Sequence, residues 1–244
     1  MKHLALLHGL LLALAFPLAA QEAPAKEDAD SGRRAWLVAT SMPKDVPNPL
    51  PVLSKGKIHM TQMSMRSIGQ AVPVDETGVV RAVKSEAGKN GKAKHAILAA
   101  AQLGEGVSEA LIVLTPNNEK GGPAFRTQVI DLAKYRKGGC LFVNQVKTNI
   151  AVEMGDQRLG LRPGEVNFIN ALGEKKQKVV PVSFHYEIPK KQKPDWRLMT
   201  SSRMALFQTR REICIFFFNQ EIGNVDFRGI AFPAPMPKLV QRDR

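Results

Sequence analysis

Short apolar segments alternate with turn-forming residues through most of the chain. Between Ala35 and Phe232, turn residues recur about every eight to twelve positions, a spacing typical of an all-β sandwich or barrel. Only Lys92–Leu103, KAKHAILAAAQL, has the composition of a helix, and glycines at 88, 91, 104 and 106 flank it. The pattern therefore predicts an all-β fold.

The segment from 150 to 164 predicts a hairpin followed by a turn. Alternate apolar residues in Ile150–Met154 and Leu159–Leu161 indicate two strands with one buried face. Gly155-Asp156 between them suits a two-residue type II′ turn, whose twist matches that of the flanking strands. Pro163-Gly164 then suits a type II turn, which needs a fixed φ followed by a positive one. This geometry builds sheet and places no reactive group.

A repeat appears when the chain is compared with itself at a shift of about one hundred residues. The run ICIFFF, Ile213–Phe218, is apolar at successive positions, which indicates a central strand buried on both faces. Its counterpart in the first copy is Leu111–Leu114. The other matches pair Trp36–Val38 with Cys140–Val143, His95–Asn117 with Trp196–Asn219, and Phe125-Arg126 with Phe227-Arg228.

The repeat predicts two tandem β-sandwich units of about one hundred residues each, for which the family resemblance described below implies an immunoglobulin-like fold. The first unit covers 35–137, the second covers 138–232, and they meet near Tyr135–Gly139. Chance similarity between two sandwich halves is the alternative explanation.

The start of the chain predicts export. Residues 1–20 have a charged start, a short apolar core and small residues at the end, which is the pattern of a secretory signal peptide. The apolar core is shorter than the roughly 20 residues of a membrane-spanning helix, although an uncleaved anchor is the alternative. Residues 21–34 read as a flexible leader and 233–244 as a proline-rich basic tail. We expect a periplasmic or extracellular protein with no transmembrane anchor after cleavage.

The chain is basic, with 35 Lys and Arg against 22 Asp and Glu and a formal net charge of +13. Such a surface attracts anionic polymers or acidic partners, and the alternative is a solvated surface with no dedicated ligand. The excess is densest around the predicted strand Val179–Ile188. The candidate anion-binding residues there are Lys175, Lys176 and Lys178 before it and Lys190, Lys191 and Lys193 after it.

Cys140 and Cys214 are the only cysteines. In an oxidising compartment they are candidates for a disulfide. The alternative is that each is a small buried apolar residue in its own strand.

No motif in the sequence favours catalysis. His59 and His95 lie among lysines, His185 has no further ligand at metal spacing, and no phosphate-binding loop or Gly-x-Ser-x-Gly motif is present. Ser41-x-x-Lys44 and Lys147-Thr148-Asn149 echo the motifs of penicillin-recognising enzymes. The prolines that follow Ser41 exclude the helix which that chemistry requires. We therefore expect neither a metal nor another cofactor.

Aromatic residues are too few to predict a nucleic-acid or sugar surface. The basic region 175–193 contains only Phe184 and Tyr186, which does not suit nucleic-acid binding, and no nucleic-acid partner is expected. Trp36 and Trp196 both lie at the starts of strands, which favours a structural role for each.

Four short motifs resemble those of exported bacterial proteins with paired immunoglobulin-like β-units, a group of no assigned activity. They are Cys-Leu-Phe-Val-Asn at 140–144, Met-Gly-Asp at 154–156, Leu-Arg-Pro-Gly-Glu at 161–165 and Leu-Thr-Pro-Asn at 114–117. The resemblance covers 35–232. It implies a fold and a compartment and brings no active site with it.

The function predicted from the sequence is a non-catalytic exported binding or structural module of the cell envelope. Its expected partner is an anionic envelope polymer or another envelope protein. The alternative is a hydrolase or transferase with its site at the junction of the two units. A junction cleft lined by His95 or His185 with an adjacent carboxylate would favour that alternative.

Overall fold

The computed structural model describes residues 32–64, 67–86, 94–135, 138–188 and 195–233. The predicted signal peptide and leader lie outside the described residues, as do Lys190, Lys191, Lys193 and the tail after Pro233. Within the described ranges, no helix is long and apolar enough to cross a membrane.

The protein is an all-β protein of two similar units, as the sequence predicts. Unit 1 contains β1 (Arg33–Ala39), β2 (Leu50–Ser54), β3 (Lys57–Thr61), β4 (Val72–Val74), β5 (Val79–Glu86), β6 (Lys94–Gln102), β7 (Glu109–Pro116) and β8 (Phe125–Asp131), followed by a 3₁₀ turn at Leu132–Lys134. Unit 2 contains β9 (Cys140–Asn144), β10 (Ile150–Met154), β11 (Gln157–Leu161), β12 (Val166–Ile169), β13 (Gln177–Ile188), β14 (Asp195–Phe207), β15 (Arg210–Asn219) and β16 (Asn224–Pro233). The immunoglobulin-like identity and the family resemblance stay predictions.

The two units share one topology, which confirms the internal repeat. In unit 1 the strands form an inner sheet, β4-β1-β7-β8, and an outer sheet, β3-β2-β5-β6. In unit 2 the inner sheet is β12-β9-β15-β16 and the outer sheet is β11-β10-β13-β14, which is the same order eight strands later. The pairs β1/β7 and β9/β15 are parallel, and the other paired strands are antiparallel.

Alternate apolar residues of the strands form the core of each sandwich. On β10, Ile150, Val152 and Met154 are buried and face the core, whereas the residues between them are half-buried. β2 repeats the pattern with Leu50 and Val52. This period of two is that of a strand with one face on the core.

A third apolar core joins the two inner sheets. It combines Leu111 and Val113 of β7 with Ile213 and Ile215 of β15, all at most 1% exposed. The intervening residues of both strands face the sandwich cores. These two strands are therefore central and buried on both faces, as their continuous apolar runs predict. The prediction is wrong at Phe218, the last residue of the run Ile213–Phe218, whose side chain is 57% exposed because the strand ends at the surface.

The helix-like stretch Lys92–Leu103 forms strand β6 over its described part, Lys94–Gln102. Ala99, Ala101 and Leu103 are buried at a period of two and pack in the unit 1 core. Pairing with β5 and burial of this face outweigh the intrinsic helix propensity of the alanines.

The predicted turns have the expected backbone. Met154 pairs with Gln157 across the two-residue turn, and Gly155 has a φ of +63°. At the next turn Gly164 has a φ of +78°, and the Glu165 N–H donates to the Arg162 carbonyl at 3.0 Å. Positive φ at these two glycines is what the type II′ and type II turns require.

Two buried arginines of unit 2 bind backbone carbonyls of unit 1. Arg211 is 1% exposed, and its Nη1 donates to the carbonyls of Leu132 at 2.8 Å and Tyr135 at 3.0 Å. Arg228 is 7% exposed and donates to the carbonyls of Ala39 and Thr40, the latter at 2.7 Å. Burial lowers the pKa of Arg228, and nearby Asp226 opposes that shift. These polar contacts complement the apolar core between the units.

Candidate ligand pocket at the junction

A cavity of about 690 Å³ opens where four strands end together. Because β1/β7 and β9/β15 are parallel pairs, the two strands of each pair have their carboxyl ends at the same end of the inner sheet. These ends of the two inner sheets both contribute residues to the cavity. Unit 1 supplies Thr40, Ser41, Thr115–Glu119 and Arg126, and unit 2 supplies Gln145–Thr148, Phe218, Gln220 and Val225.

A chain of side-chain hydrogen bonds fixes the wall between the units. The Thr115 hydroxyl donates to Gln145 Oε1 at 3.0 Å, and the Gln145 amide donates to Gln128 Oε1. The Gln128 amide in turn donates to the Gly164 carbonyl at 2.7 Å. Since each amide is held at both its donor and its acceptor side, the polar wall is organised before any ligand arrives.

Arg126 presents a cation to the cavity. The matched sequence pairs predict that Arg126 is the equivalent of Arg228, and the strand register corrects this. Leu111 pairs with Ile130 and its counterpart Ile213 pairs with Ile230, which makes Arg126 the counterpart of Asp226. Arg126 is exposed, whereas Arg228 is buried in hydrogen bonds to unit 1. Within the described residues, no hydrogen bond or ion pair engages Arg126. The Arg126 guanidinium is therefore available to a ligand.

Lys147 brings a second cation from the loop between β9 and β10. Asn144, fully buried, holds this loop: its Nδ2 donates to the Thr148 carbonyl at 2.9 Å, and its Oδ1 accepts from the Val146 N–H at 2.9 Å. Lys147 itself is exposed, and among the described residues its ammonium has no partner. A rigid loop thus carries an available lysine at the cavity.

Phe218 supplies an apolar wall. Its side chain is 57% exposed, whereas the preceding Phe217 is 7% exposed and lies against Arg228. Val225 and Pro116 line the same cavity. The pocket therefore combines two cations, amides and hydroxyls with an aromatic surface, and Glu119 is the carboxylate among its lining residues.

The three described lysines of the set predicted to bind anions do not line this pocket. Lys175 and Lys176 are exposed in the loop before β13. Lys178 lies within β13 itself, half-buried, and its Nζ donates to the Ala171 carbonyl at 3.1 Å. The remaining three lysines fall outside the described residues, so the two-ended lysine surface stays a prediction.

The histidines expected of a junction enzyme are elsewhere. His95 lies on β6, where its Nδ1 is 3.4 Å from the Ser85 hydroxyl, and His185 lies on β13. Neither lines the junction pocket. Within the described ranges, no group of three or more His, Cys, Asp or Glu residues could hold a metal ion.

Fragments of the penicillin-recognising motif do meet in the pocket. Ser41, Lys147 and Thr148 all line it. Ser41 follows β1 in an irregular segment and does not begin a helix. Among the described residues no hydrogen bond activates its hydroxyl, so the arrangement lacks the base that such a nucleophile needs.

The two cysteines lie together in the unit 2 core. They belong to adjacent parallel strands, are fully buried, and are present as thiols with their sulfur atoms 3.6 Å apart. Burial raises the pKa of Cys140 well above its ordinary value, and the neighbouring Cys214 adds to that effect. The disulfide stays a prediction, because the sulfurs are in contact without a bond.

The two tryptophans have different roles. Trp36 packs edge-on against Phe232 beside the core between the units, with ring centroids 5.0 Å apart. Trp196 is 44% exposed on the outer sheet of unit 2. The packing of Trp36 fits the expected structural role, whereas for the exposed Trp196 that role stays a prediction.

Sequence reasoning missed Arg126, Gln145 and Phe218, because their chemistry depends on where strands of different units end. The sequence match of Phe125-Arg126 with Phe227-Arg228 could not have found the site, because the strand register makes Asp226 the counterpart of Arg126. No protein-family model matches the chain, and comparison with curated proteins found no match.

Proposed function

We propose that the protein is a non-catalytic binding module, exported to the cell envelope, which takes an anionic ligand in the junction pocket. The observation that carries the proposal is the pair of available cations, Arg126 and Lys147, on opposite units of one walled cavity. Exposed cations held beside fixed polar groups recognise carboxylate, sulfate or phosphate through charge-assisted hydrogen bonds.

The pocket suits a segment of an anionic polymer better than a whole protein surface. Its volume, about 690 Å³, is within the range of small-molecule sites. Gln145 and Thr115 offer hydrogen bonds for hydroxyl or amide groups, and Phe218 offers an apolar face. Lys175 and Lys176 would add a long-range attraction that salt screens.

The test compares two double variants with the same change in charge. Polygalacturonate and dextran sulfate serve as probes, with neutral dextran as the uncharged reference. Arg126→Gln with Lys147→Gln should weaken binding of an anionic probe by about tenfold or more, since each charge-assisted hydrogen bond contributes ~1.5–3 kcal/mol. Lys175→Gln with Lys176→Gln should change binding by less than about threefold, since exposed charges contribute little.

Equal losses in the two double variants would contradict the pocket, because they would show attraction to net charge alone. A larger loss in the Lys175/Lys176 variant would instead assign binding to the lysine surface. Failure of both anionic probes to bind more tightly than neutral dextran would refute the proposal.

Export rests on the pattern of residues 1–20 and has its own test. N-terminal sequencing of the mature protein should begin near Gln21. A mature chain that still contains Lys2 would contradict cleavage.

A hydrolase at the junction is the second candidate, and the meeting of Ser41, Lys147 and Thr148 in one cavity is the observation that favours it. Because no base contacts the Ser41 hydroxyl among the described residues, we expect no covalent labelling by a fluorophosphonate or a β-lactam. Labelling that Ser41→Ala abolishes would favour the hydrolase over the binding module.

A further inference from the structure

We propose that the solvent-facing side of the unit 2 outer sheet carries a second site, which binds a saccharide against Trp196. A concavity of about 870 Å³ lies at one end of this sheet. Trp196 forms one wall, the Arg162–Glu165 turn forms another, and Gly160 and Asn149 also line it. The site shares no lining residue with the junction pocket, so it does not rest on the function proposed for that pocket.

The strand register places small residues between these walls. Gly160 on β11 pairs with Ala151 on β10, and Ala151 pairs with His185 on β13. Directly opposed residues of antiparallel strands point to the same face of a sheet. Because Gly160 and Ala151 have small side chains, the sheet surface is recessed next to Trp196. A glycine within a strand also allows a ligand to approach the backbone closely.

Polar groups stand beside the tryptophan in fixed positions. Glu187 pairs with Trp196 in the register and thus shares its face of the sheet. The Asn149 Nδ2 donates to Glu187 Oε2 at 2.5 Å, and the Glu187 N–H donates to the Asn149 carbonyl at 2.9 Å. Arg162 and Glu165 lie across the concavity, with the Arg162 N–H donating to Glu165 Oε2 at 2.8 Å. Carboxylate, amide and guanidinium groups thus surround an exposed aromatic ring.

This combination suits a saccharide. One face of a pyranose ring presents C–H groups that pack on an indole, and its hydroxyls both donate and accept hydrogen bonds. A carboxylate and an amide can each engage two neighbouring hydroxyls, and the hydrogen bonds between Asn149 and Glu187 keep these two side chains in place. A purely apolar partner would leave the Asn149–Glu187 pair desolvated without new hydrogen bonds, which is unfavourable.

The repeat supplies an internal comparison. The β-bulges of the two outer sheets, at Ala82/Val83 and Phe184/His185, align the strands and make His95 the equivalent of Trp196. The hairpins align Met60 with Gly160. Met60 is 56% exposed, and its side chain occupies the position in unit 1 that corresponds to the recess at Gly160 in unit 2. The fold therefore requires neither the tryptophan nor the glycine, and unit 2 alone has the platform.

Gly160 can be changed without disturbing the backbone. A Cβ at this position would meet no atom within 4 Å, and Gly160 is not among the glycines with positive φ. Gly160→Met copies the residue that unit 1 uses at the same place. It should keep the fold and occupy the space where the sugar ring would lie.

The experiment titrates the full chain with oligosaccharides of N-acetylglucosamine, of mannose and of xylose, which are uncharged and are not among the probes of the junction pocket. Binding is followed by calorimetry and by tryptophan fluorescence, with an adenine nucleotide and a proline-rich peptide as competitors of other classes. At least one saccharide should bind. Trp196→Ala and Gly160→Met should each weaken that binding about tenfold or more, as expected for an aromatic anchor at the centre of a site.

Three further variants separate the possible outcomes. Trp196→Phe should retain most of the binding, because it keeps an aromatic face. Phe218→Ala, which removes an exposed aromatic from the junction pocket, should not change it, and neither should Arg126→Gln with Lys147→Gln. Unchanged far-UV spectra and melting temperatures would show that the variants fold.

The proposal is overturned if no saccharide of the panel binds, or if Trp196→Ala and Gly160→Met bind as the wild type does. Binding of the nucleotide or the peptide in place of all saccharides would assign the platform to another class and would equally overturn it. Since the junction variants leave this site intact, its failure and the failure of the anion pocket are distinguishable.

Discussion

Ile213 offers the sharpest test of the core that joins the two units. Its side chain is 0% exposed and packs in the third apolar core with Leu111 and Val113 of unit 1. Ile213→Ala removes three carbons, which at ~0.8 kcal/mol per buried methylene amounts to about 2.4 kcal/mol. The cavity left behind adds to this figure, so we expect the free energy of unfolding to fall by about 3 kcal/mol, within the ~2–5 kcal/mol typical of such truncations.

The assay is urea denaturation followed by far-UV circular dichroism and by tryptophan fluorescence in a Trp196→Phe background. Trp36, which packs against the same core, is then the sole tryptophan and reports its opening. The melting temperature should fall by about 6–12 °C, from the ~2–4 °C per kcal/mol typical of domains of this size. Fluorescence and dichroism should give one midpoint, because both inner sheets lose the same core.

Ile97→Ala is the matched control, since it makes the same chemical change where the side chain is 52% exposed. It should change the free energy of unfolding by no more than about 0.5 kcal/mol. An equal effect of the two substitutions would refute a packed core between the units. Separate midpoints for Trp36 fluorescence and dichroism would refute shared unfolding.

The remaining predictions concern buried polar groups. Arg228→Met leaves the Ala39 and Thr40 carbonyls without their donors and should lower the free energy of unfolding by about 1–3 kcal/mol, whereas Arg126→Met should change it by less than about 0.5 kcal/mol; equal melting temperatures would contradict the contrast. Because burial raises the pKa of Cys140, its folded-state thiol holds its proton above the pKa of the unfolded chain, so stability should decline as pH rises through about 8.5 and beyond. A Cys140→Ala variant should show a shallower decline, and an identical pH profile would contradict the assignment. Native reduced protein should resist alkylation by iodoacetamide at both cysteines. Alkylation after unfolding without reductant tests the disulfide: modification of both cysteines would show free thiols, and modification of neither would show a disulfide bond.

Local patterns in the sequence determined the strands and turns of this protein. The alternating burial over Ile150–Met154 and the positive φ of Gly155 and Gly164 depend on a few neighbouring residues. The sequence alone therefore predicts them. The repeat could also be read, because each unit must bury its own alternate residues. Continuous apolar runs at Leu111–Leu114 and Ile213–Phe218 indicated burial on both faces, although not which surface covers them.

Only the tertiary structure decided which residues of the two units correspond and which of them are exposed. Arg126 and Arg228 match in the sequence repeat, yet the strand register makes Arg126 the counterpart of Asp226. Packing of one unit on the other buries Arg228 and leaves Arg126 at a cavity. Trp36 in β1 is packed against Phe232, whereas Trp196 in β14 is exposed. The cavity itself collects strand ends about a hundred residues apart. Exposure and proximity of this kind depend on contacts between distant segments, which no local pattern of residues specifies.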